Sequence, residues 1–320
     1  MLNENNGQNK VVGIDISKDY LDVCILPSGK ELRYKNSAKE IESLCKRLLK
    51  EGDVLVIIEP SGNYEQELQY TLLDRNIRVA KINAKQIRDF ARASGKLAKT
   101  DSLDARILAV YGSKMEVRPL EARSESEKRL LSLVGRRRQL MQMLTSEKNR
   151  LEKTKDEECR EDIRKQCESL ESSIKVFDKK INTCIKNDDS LSEKRSVLCK
   201  FSGVGDVTSA VILAELPEIG YLSHKEVSNL VGVVPINRDS GKMRGKRSIY
   251  GGRGSVRTAL YMAAITAIRW DEKVRKFYKS LLAKGKLKKV AIVACMHKMI
   301  IILNARMRDY FKSLTVPSEA

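Results

Sequence analysis

The sequence predicts an α/β domain in its first third and a mostly helical remainder. Three β-rich runs follow one another across short turns, and two further apolar runs alternate with helical patterns. The predicted strands are 11–16, 21–26, 31–34, 54–58 and 77–82, and the predicted helices are 38–50, 66–73, 83–93 and 102–111. Three hairpin strands followed by alternating helices and strands describe a mixed sheet. From residue 124 the pattern changes to long, charged helices, which adds an all-α part to the fold class.

The charge balance points to a polyanionic partner. The 320 residues include 61 basic and 42 acidic ones, a formal net charge of +19, which does not fit a typical small-molecule enzyme. Nucleic acid and a membrane surface are the two candidates. The longest apolar run, 290–303, is interrupted by His297 and Lys298 and is too short to span a bilayer, and residues 1–10 lack a signal-peptide hydrophobic stretch. The sequence therefore predicts a cytoplasmic protein with a nucleic-acid partner and no membrane partner.

Metal binding through thiols or imidazoles is not expected. The seven cysteines are scattered without a C-x-x-C pair, and there are only two histidines. This composition is typical of reduced thiols in the cytosol and disfavours a zinc site. A catalytic metal would have to be a hard cation held by oxygen ligands.

Four acidic residues occupy positions that suit such a cation. Asp15 interrupts the first predicted strand, and Glu59 directly follows the fourth. A charge in or just beyond a buried strand is costly without a partner, and strand ends are where α/β sheets place functional groups. Asp101 and Asp104 lie three residues apart at the start of a predicted helix and so share one face of it. The alternative for these two is an acidic first turn that complements the helix dipole.

The four carboxylates together suit two divalent cations about 4 Å apart, which activate a nucleophile and stabilise a leaving oxygen in phosphoryl transfer. Their order and spacing resemble the RuvC-like branch of the RNase H fold. We therefore expect residues 1–118 to form a RuvC-like metal-binding domain.

Residues 119–192 have the pattern of a coiled coil. Apolar residues keep an approximate heptad in one run and alternate four- and three-residue steps in the next. They are Leu130, Leu133, Leu140, Leu144 and Leu151, and then Ile163, Cys167, Leu170, Ile174, Phe177, Ile181 and Cys184. A reversal is expected within 153–160, which predicts an antiparallel hairpin or a longer pairing with another subunit; a plain helical spacer is the alternative. Polar residues 187–190 are expected to be the linker that ends this dimerisation segment.

Residues 193–320 are expected to form a helical domain with two phosphate contacts. The G-V-G at 203–205 lies between two apolar helical patterns and looks like a helix-hairpin-helix element, whose turn amides can hold a DNA phosphate. A tight glycine turn in an ordinary helical hairpin would look the same. The second contact is the loop at 236–257, where seven of 22 residues are basic and five are glycine.

The basic residues of that loop are candidate nucleic-acid ligands, because guanidinium groups beside flexible glycines can reach phosphates. They are Arg238, Lys242, Arg244, Lys246, Arg247, Arg253 and Arg257. Neutralising Z phosphates of duplex DNA would give a log–log salt slope of about −0.9Z. The alternatives are a solvated basic loop for the charges and a simple turn residue for Ser240, which precedes Gly241.

Three motifs taken together resemble one family. They are GIDISKDYLDV around Asp15, IEPSGNY around Glu59 with KTDSLDA, and GVGDVTSAVILAEL leading to GVVPINRDSGKMRGKRSIYGGRGSVRTALYMAA. The family is the DEDD-type transposases of bacterial insertion sequences, which includes the Piv-type site-specific DNA invertases. The resemblance covers nearly the whole chain outside the predicted coiled coil.

The resemblance carries several expectations about chemistry and partners. It implies that Asp15, Glu59, Asp101 and Asp104 bind Mg²⁺, for which Mn²⁺ can substitute, and that Ser240 is the nucleophile that forms a covalent 5′-phosphoserine link to DNA. It also implies guidance by a structured bridge RNA that pairs with donor and target DNA. The assembly it implies is a homodimer that joins into a tetrameric synapse, where the acidic cluster of one subunit meets the serine of another.

Three functions are compatible with the sequence. A DNA recombinase uses the four carboxylates together with Ser240, and transposition and inversion would share that chemistry. A metal-dependent junction-resolving nuclease would use water as the nucleophile, with Ser240 positioning phosphate. A non-catalytic nucleic-acid-binding scaffold accounts for the charge and the coiled coil but leaves the four acids unexplained. The recombinase is the interpretation that the sequence favours.

Overall fold

The computed structural model describes residues 10–95, 101–237, 241, 243, 245 and 247–315, with the side chains of all of these except 101–103 and 315. The chain divides into two compact units, residues 1–122 and 123–320. Each unit has its own hydrophobic core.

The first unit is built on a mixed five-stranded sheet. Its strands are β1 (Lys10–Ile16), β2 (Tyr20–Leu26), β3 (Lys30–Lys35), β4 (Val54–Ile58) and β5 (Arg78–Lys81). They lie in the order β3-β2-β1-β4-β5. Strand β2 is antiparallel to both β1 and β3, whereas β1, β4 and β5 are parallel to one another.

Helices cover both faces of this sheet. They are α1 (Ala38–Glu51), α2 (Gln66–Asp74), α3 (Ala84–Ala93) and α4 (Asp101–Lys114). One face packs against α1 and α2 through a core that includes Val12, Ile14, Leu44 and Leu72. The other face packs against α3 and α4 through a core that includes Val11, Ile57, Ile87, Leu108 and Tyr111. A sheet covered on both sides explains why β4 is an almost unbroken apolar strand.

This arrangement is the RNase H fold of the RuvC-like type. The antiparallel β1–β2–β3 meander and the alternation of helices with β4 and β5 follow the sequence prediction, and the structure adds that β4 and β5 are parallel to β1. The predicted α/β class of the first third is therefore confirmed. Local signals sufficed here because strand alternation, the turn at 27–29 and the continuous apolar run of β4 are all short-range features.

The second unit begins with two long antiparallel helices, α5 (Glu125–Lys153) and α6 (Glu157–Lys186). The chain reverses at 154–156, inside the predicted stretch, where the Asp156 carboxylate accepts a hydrogen bond from the Cys159 amide at 2.9 Å. The predicted apolar seam lies between the helices, with Leu140, Leu144, Cys167 and Ile174 buried in it. The antiparallel hairpin is thus confirmed, while pairing of this segment with another subunit stays a prediction.

The remaining elements form one helical core with the base of that hairpin. They are α7 (Asp189–Cys199), α8 (Asp206–Glu215), α9 (His224–Val231), β6 (Pro235–Ile236), β7 (Ser248–Ile249), α10 (Gly254–Trp270), α11 (Glu272–Ala283) and α12 (Lys288–Thr315). Leu130 and Ile181 of the hairpin are buried in the same cluster as Leu213, Leu260 and Leu303. The stretch 288–314 of α12 is long and apolar enough to cross a membrane by length and composition. Its apolar side is buried in this core, which accounts for its composition.

One predicted boundary is wrong. Residues 187–190 are not a linker, because α7 begins at Asp189, directly after the end of α6. The Asp188 carboxylate accepts a hydrogen bond from the Leu191 amide at 2.9 Å and caps the new helix. A polar run that contains Asp, with an apolar residue three positions after that Asp, is as typical of a helix start as of a linker.

Candidate active site

Asp15 and Glu59 lie at the same edge of the sheet. In the parallel pairing of β1 with β4, Gly13 is opposite Ile57 and Ile14 is opposite Ile58. Asp15 and Glu59 are the next residues on their strands, and both are half-buried. Since the carboxyl ends of parallel strands meet at one edge, the register places Asp15 and Glu59 side by side on adjacent strands.

Helix α4 lies against the face of the sheet from which Asp15 projects. Gly13 and Asp15 are two residues apart on β1 and therefore share a face. A Cβ added at Gly13 would clash with the Ala105 carbonyl and the Ala109 amide and would lie 2.9 Å from the Leu108 Cβ. Only a glycine allows this close approach, which fixes the helix turn containing Asp104 over β1.

Asp101 and Asp104 are on this same helix. Asp104 is half-buried and directly precedes Ala105. Asp101 is the first residue of α4, and its side chain lies outside the described part of the chain. Their spacing of three residues is that of neighbours on one helix face.

The donor chemistry at this edge fits a hard divalent cation. Carboxylate oxygens are the ligands that Mg²⁺ and Mn²⁺ prefer. Among the described side chains, which exclude that of Asp101, no three Asp, Glu, His or Cys groups are close enough together to hold a metal ion. The topology thus brings Asp15, Glu59 and Asp104 to one region without forming a complete three-ligand cage from them.

Sequence reasoning missed a further carboxylate in this region. Asp22 on β2 is directly opposite Asp15, so the two project from the same face of the sheet. Asp22 is half-buried and pairs with Arg33 on β3 at 3.4 Å. The signal that could have found it is the short turn at 17–19, which fixes the β1–β2 register.

The loop that carries Glu59 is held by a buried ion pair. Glu65 is only 2% exposed; it accepts a hydrogen bond from the Ser61 amide at 3.0 Å and pairs with Lys81 at 2.6 Å. Burial alone would raise the pKa of Glu65, but the hydrogen bond and charge of Lys81 outweigh it and hold this pKa below its usual value. The fold therefore fixes the strand-end loop through an ionised Glu65.

The predicted serine loop starts and ends in a small hairpin of the second unit. Strands β6 and β7 pair antiparallel and bracket residues 237–247. The predicted residues Ser240, Arg238, Lys242, Arg244 and Lys246 lie outside the described residues. Arg247 is described and exposed.

Two of the predicted phosphate ligands already have partners within the fold. Arg253 donates two hydrogen bonds to the Glu218 carboxylate, both at 2.5 Å, and a third to a backbone carbonyl. Arg257 donates to the carbonyls of Val231 and Gly251 at 3.2 and 2.5 Å, which ties the loop to the end of α9. Burial would raise the pKa of Glu218, but Arg253 outweighs it, and this pKa lies below its usual value.

The G-V-G turn also has a packing role. It joins α7 to α8, as predicted, and Gly203 has a left-handed φ of +93°. A Cβ added there would lie 2.5 Å from the Ala263 carbonyl and 2.9 Å from the Ala267 amide of α10. A glycine is therefore required here by the packing of the unit itself.

The excess positive charge lies almost entirely in the second unit. Residues 1–122 contain 20 basic and 18 acidic residues, whereas residues 123–320 contain 41 and 24. The unit with the helical hairpin and the serine loop is thus the one suited to a polyanion.

An RNase H sheet with carboxylates at one edge, on the same chain as a strongly basic helical unit, is typical of enzymes that act on nucleic acid. Comparison with known families then identifies the lineage. Residues 12–158 match the DEDD transposases of the IS110 family, and residues 195–279 match the family described as "Transposase IS116/IS110/IS902 family". The chain belongs to the family of DEDD-type insertion-sequence transposases and Piv-type DNA invertases, and it is a DNA transposase or recombinase.

Two curated relatives are similar over most of the chain, and one solved structure is similar over about a third of it. The pilin gene-inverting protein of Moraxella bovis is 27% identical over 315 residues, covering 93% of this chain and 95% of that protein, and the one from Moraxella lacunata gives the same figures. Among solved structures, T. thermophilus RuvC in complex with a Holliday junction substrate is similar to 35% of this chain and 99% of its own, with a TM-score of 0.29 and 13% identity.

Proposed function

We propose that this protein cuts and rejoins the DNA of a mobile insertion element through a covalent 5′-phosphoserine intermediate on Ser240. In this proposal Asp15, Glu59, Asp101 and Asp104 hold the catalytic Mg²⁺, for which Mn²⁺ can substitute. The observation that supports the acidic part most directly is the shared edge: Asp15 and Glu59 end adjacent parallel strands, and α4 with Asp104 packs on the same face.

The proposed serine reaction has two steps, cleavage and rejoining. The Ser240 hydroxyl oxygen attacks the phosphorus, so that a serine–phosphate bond forms and the bond to the 3′ oxygen of the leaving strand breaks. The serine proton passes to solvent and the leaving 3′ oxygen takes up a proton. A 3′ hydroxyl of a second strand then attacks the phosphoserine and frees Ser240. Because each phosphodiester is exchanged and none is hydrolysed, no ATP is needed.

The carboxylates would support this reaction electrostatically. A divalent cation bound among them would neutralise negative charge that develops at the scissile phosphate. A serine hydroxyl is a weak nucleophile near neutral pH and needs such activation. The α4–β1 packing through Gly13 would keep the ligand-bearing helix at a fixed distance from Asp15.

The partners in this proposal are donor DNA, target DNA and a structured bridge RNA that pairs with both. The resemblance to RNA-guided family members and the concentration of positive charge in residues 123–320 support it. The helical hairpin of α5 and α6 is proposed as the dimerisation segment of a tetrameric synapse, between a metal-binding domain at 1–118 and a serine domain at 193–320. The protein is proposed to act in the cytoplasm.

Trapping the covalent intermediate tests the serine assignment. DNA labelled on the strand that keeps the 5′ phosphate should give a protein adduct that survives denaturing electrophoresis. Ser240→Ala should abolish the adduct, whereas Ser192→Ala, an exposed serine on α7, should leave it unchanged. An adduct that persists in Ser240→Ala would show that another residue is the nucleophile.

Removal of the metal or of one carboxylate tests the acidic site. EDTA should abolish the adduct, and Mg²⁺ or Mn²⁺ should restore it. Asp15→Asn should also abolish it, while Asp19→Asn, in the exposed turn after β1, should not. Free 5′-phosphate ends without attached protein would instead identify a nuclease in which water attacks.

A second candidate function is site-specific DNA inversion by the same chemistry. The specific observation that favours it is the match over 93% of the chain to a pilin gene-inverting protein. A plasmid carrying the flanking DNA of the gene separates the two outcomes. Excision or insertion of the element supports transposition, whereas reversal of an internal segment supports inversion. Deleting the structured RNA from the plasmid should stop either reaction if the RNA is the guide.

A further inference from the structure

A surface cavity of about 570 Å³ lies in the second unit, where the α7–α8 turn meets α11 and α12. It is lined only by residues of that unit and includes none of the residues proposed for catalysis. Its chemistry is a mixture of aromatic rings and cationic side chains, a combination that recognises unpaired nucleotides.

The aromatic part consists of Trp270, Phe201 and Phe277. Trp270, the only tryptophan in the chain, is the last residue of α10 and is 78% exposed at the rim of the cavity. Leaving so large an apolar ring in water is unfavourable, and a second flat ring stacked on it would remove that surface from solvent. Phe201 is buried and forms part of the cavity wall.

The cationic part consists of Lys200, Lys273, Lys298 and Arg306. Lys298 lies 4.7 Å above the Phe277 ring centroid, and Arg306 lies 5.4 Å from that of Phe201. Among the described residues, the buried Nη1 of Arg306 has no hydrogen-bond partner. Because this nitrogen is closed off from solvent, it adds positive charge to the cavity wall, and the exposed Lys298 is the donor that a phosphate can reach.

The two acidic residues that line the cavity both interact with α11. The Asp271 carboxylate caps α11 by accepting a hydrogen bond from the Val274 amide at 3.0 Å. Glu272 pairs with Lys276, one turn along the same helix, at 2.7 Å. Both carboxylates keep their charge, but four basic side chains against two acidic ones leave the lining with a net positive charge.

We propose that this cavity binds an unpaired nucleotide of a single-stranded nucleic acid. The base stacks on Trp270, and the phosphate takes a hydrogen bond from the exposed ammonium of Lys298. A duplex cannot present a base in this way without unpairing it, so the site selects single strands. The inference concerns binding by residues other than the proposed catalytic ones, so its test is independent of the serine chemistry.

The single tryptophan makes the site directly observable. The full-length protein, in EDTA so that no cleavage occurs, is titrated with the tetranucleotides dT4 and rU4 and with a blunt hairpin duplex while Trp270 fluorescence is followed. Saturable quenching by at least one tetranucleotide and none by the duplex is expected, and the DNA and RNA arms show which strand the site takes. Quenching by the duplex alone, or none at all, overturns the proposal.

Charge variants separate the cavity from the general positive charge of the unit. Lys298→Gln should weaken binding about tenfold and lower the log–log salt slope by about 0.7, the loss of one single-strand phosphate contact. Lys279→Gln, an exposed lysine of α11 outside the cavity, should change neither. Equal effects of both variants, with circular dichroism unchanged, would show that only diffuse charge is involved.

Self-association is the competing explanation for the exposed tryptophan. Without nucleic acid, the Trp270 emission maximum should be independent of protein concentration, because the ring faces water. A concentration-dependent blue shift that Trp270→Ala abolishes in parallel with a drop in oligomer size would assign the ring to a protein interface and overturn the nucleotide site.

Discussion

Replacing Gly13 by alanine should distort the candidate active site through a single methyl group. The added Cβ would lie 2.9 Å from the Leu108 Cβ and closer still to the backbone of α4. Carbon atoms need about 3.5 Å, so the helix has to move by at least about 0.6 Å away from β1. The atoms in the way are helix backbone, which cannot rotate aside as a side chain can.

Both stability and activity should respond to that displacement. Overpacking of this kind costs about 1–3 kcal/mol, which corresponds to a fall in melting temperature of about 4–12 °C for a unit of this size. Because Asp104 moves with α4 relative to Asp15, the rate of adduct formation should fall by about 100-fold even where the protein is fully folded. Thermal unfolding followed by circular dichroism and single-turnover adduct formation measure the two effects.

Gly112→Ala on the same helix is the matched control. Its Cβ would clash with the Ile57 Cγ1 and would lie 2.7 Å from the Ile57 Cδ1 and 2.9 Å from the Val11 Cγ1. These atoms belong to buried side chains and not to backbone, so the strain falls on the core rather than on the position of Asp104. Alanine also favours the helix by about 1 kcal/mol relative to glycine, which offsets part of the cost of this clash. Gly13→Ala should therefore be the more destabilising and the only one of the two to lose the adduct at 25 °C. A Gly13→Ala protein with unchanged adduct rate would refute the link between the helix contact and the site.

Three further predictions concern the second unit. Asn304→Ala should lower the free energy of unfolding by about 3 kcal/mol in chemical denaturation, since its buried amide donates to and accepts from the backbone of the loop 220–222, both at 2.7 Å. Glu218→Gln should cost about 2 kcal/mol at pH 7, because it removes the charge that pairs with Arg253. Since the pKa of Glu218 is held below its usual value, its stabilisation is fully present above about pH 4.5 and is lost as the pH falls through the folded pKa. The unfolding free energies of the wild type and of the Glu218→Gln variant should therefore converge in acid, and a gap that stays constant down to about pH 3 would exclude the ion pair as its source. Gly135→Ala, in the middle of α5 where a Cβ meets nothing within 4 Å, should raise the unfolding free energy by about 1 kcal/mol, and a loss would mean that a partner contacts this face.

The sheet and its acidic edge could be predicted because their determinants are local. Alternation and turn residues define β1 to β3, and a parallel register carries Asp15 and Glu59 to one edge once the strands are known. Asp22 was not predicted because its position opposite Asp15 depends on the exact register of β1 and β2. A shift of one residue would turn its side chain to the other face of the sheet.

The long-range contacts could not be predicted in the same way. Arg253 looks like a free cation in the sequence, yet its partner Glu218 is 35 residues away and on another element. Gly203 looks like a phosphate-binding glycine, whereas its contact with α10 is sufficient to require it. In each case a residue type that suits DNA binding is equally suited to internal packing, and only the tertiary structure separates the two roles.

The distribution of charge fits the proposed division of metal binding and DNA binding between the two units. A carboxylate cluster attracts divalent cations only if the surrounding field is not strongly positive, and residues 1–122 are nearly neutral. Residues 123–320 carry almost all of the excess positive charge, and at least two arginines of the serine loop use their charge within the fold. We therefore expect DNA affinity to come from exposed basic residues of this unit rather than from Arg253 and Arg257. Arg253→Gln in a folded protein should consequently leave the log–log salt slope of DNA binding almost unchanged. Removal of an exposed lysine such as Lys298 should make that slope less steep.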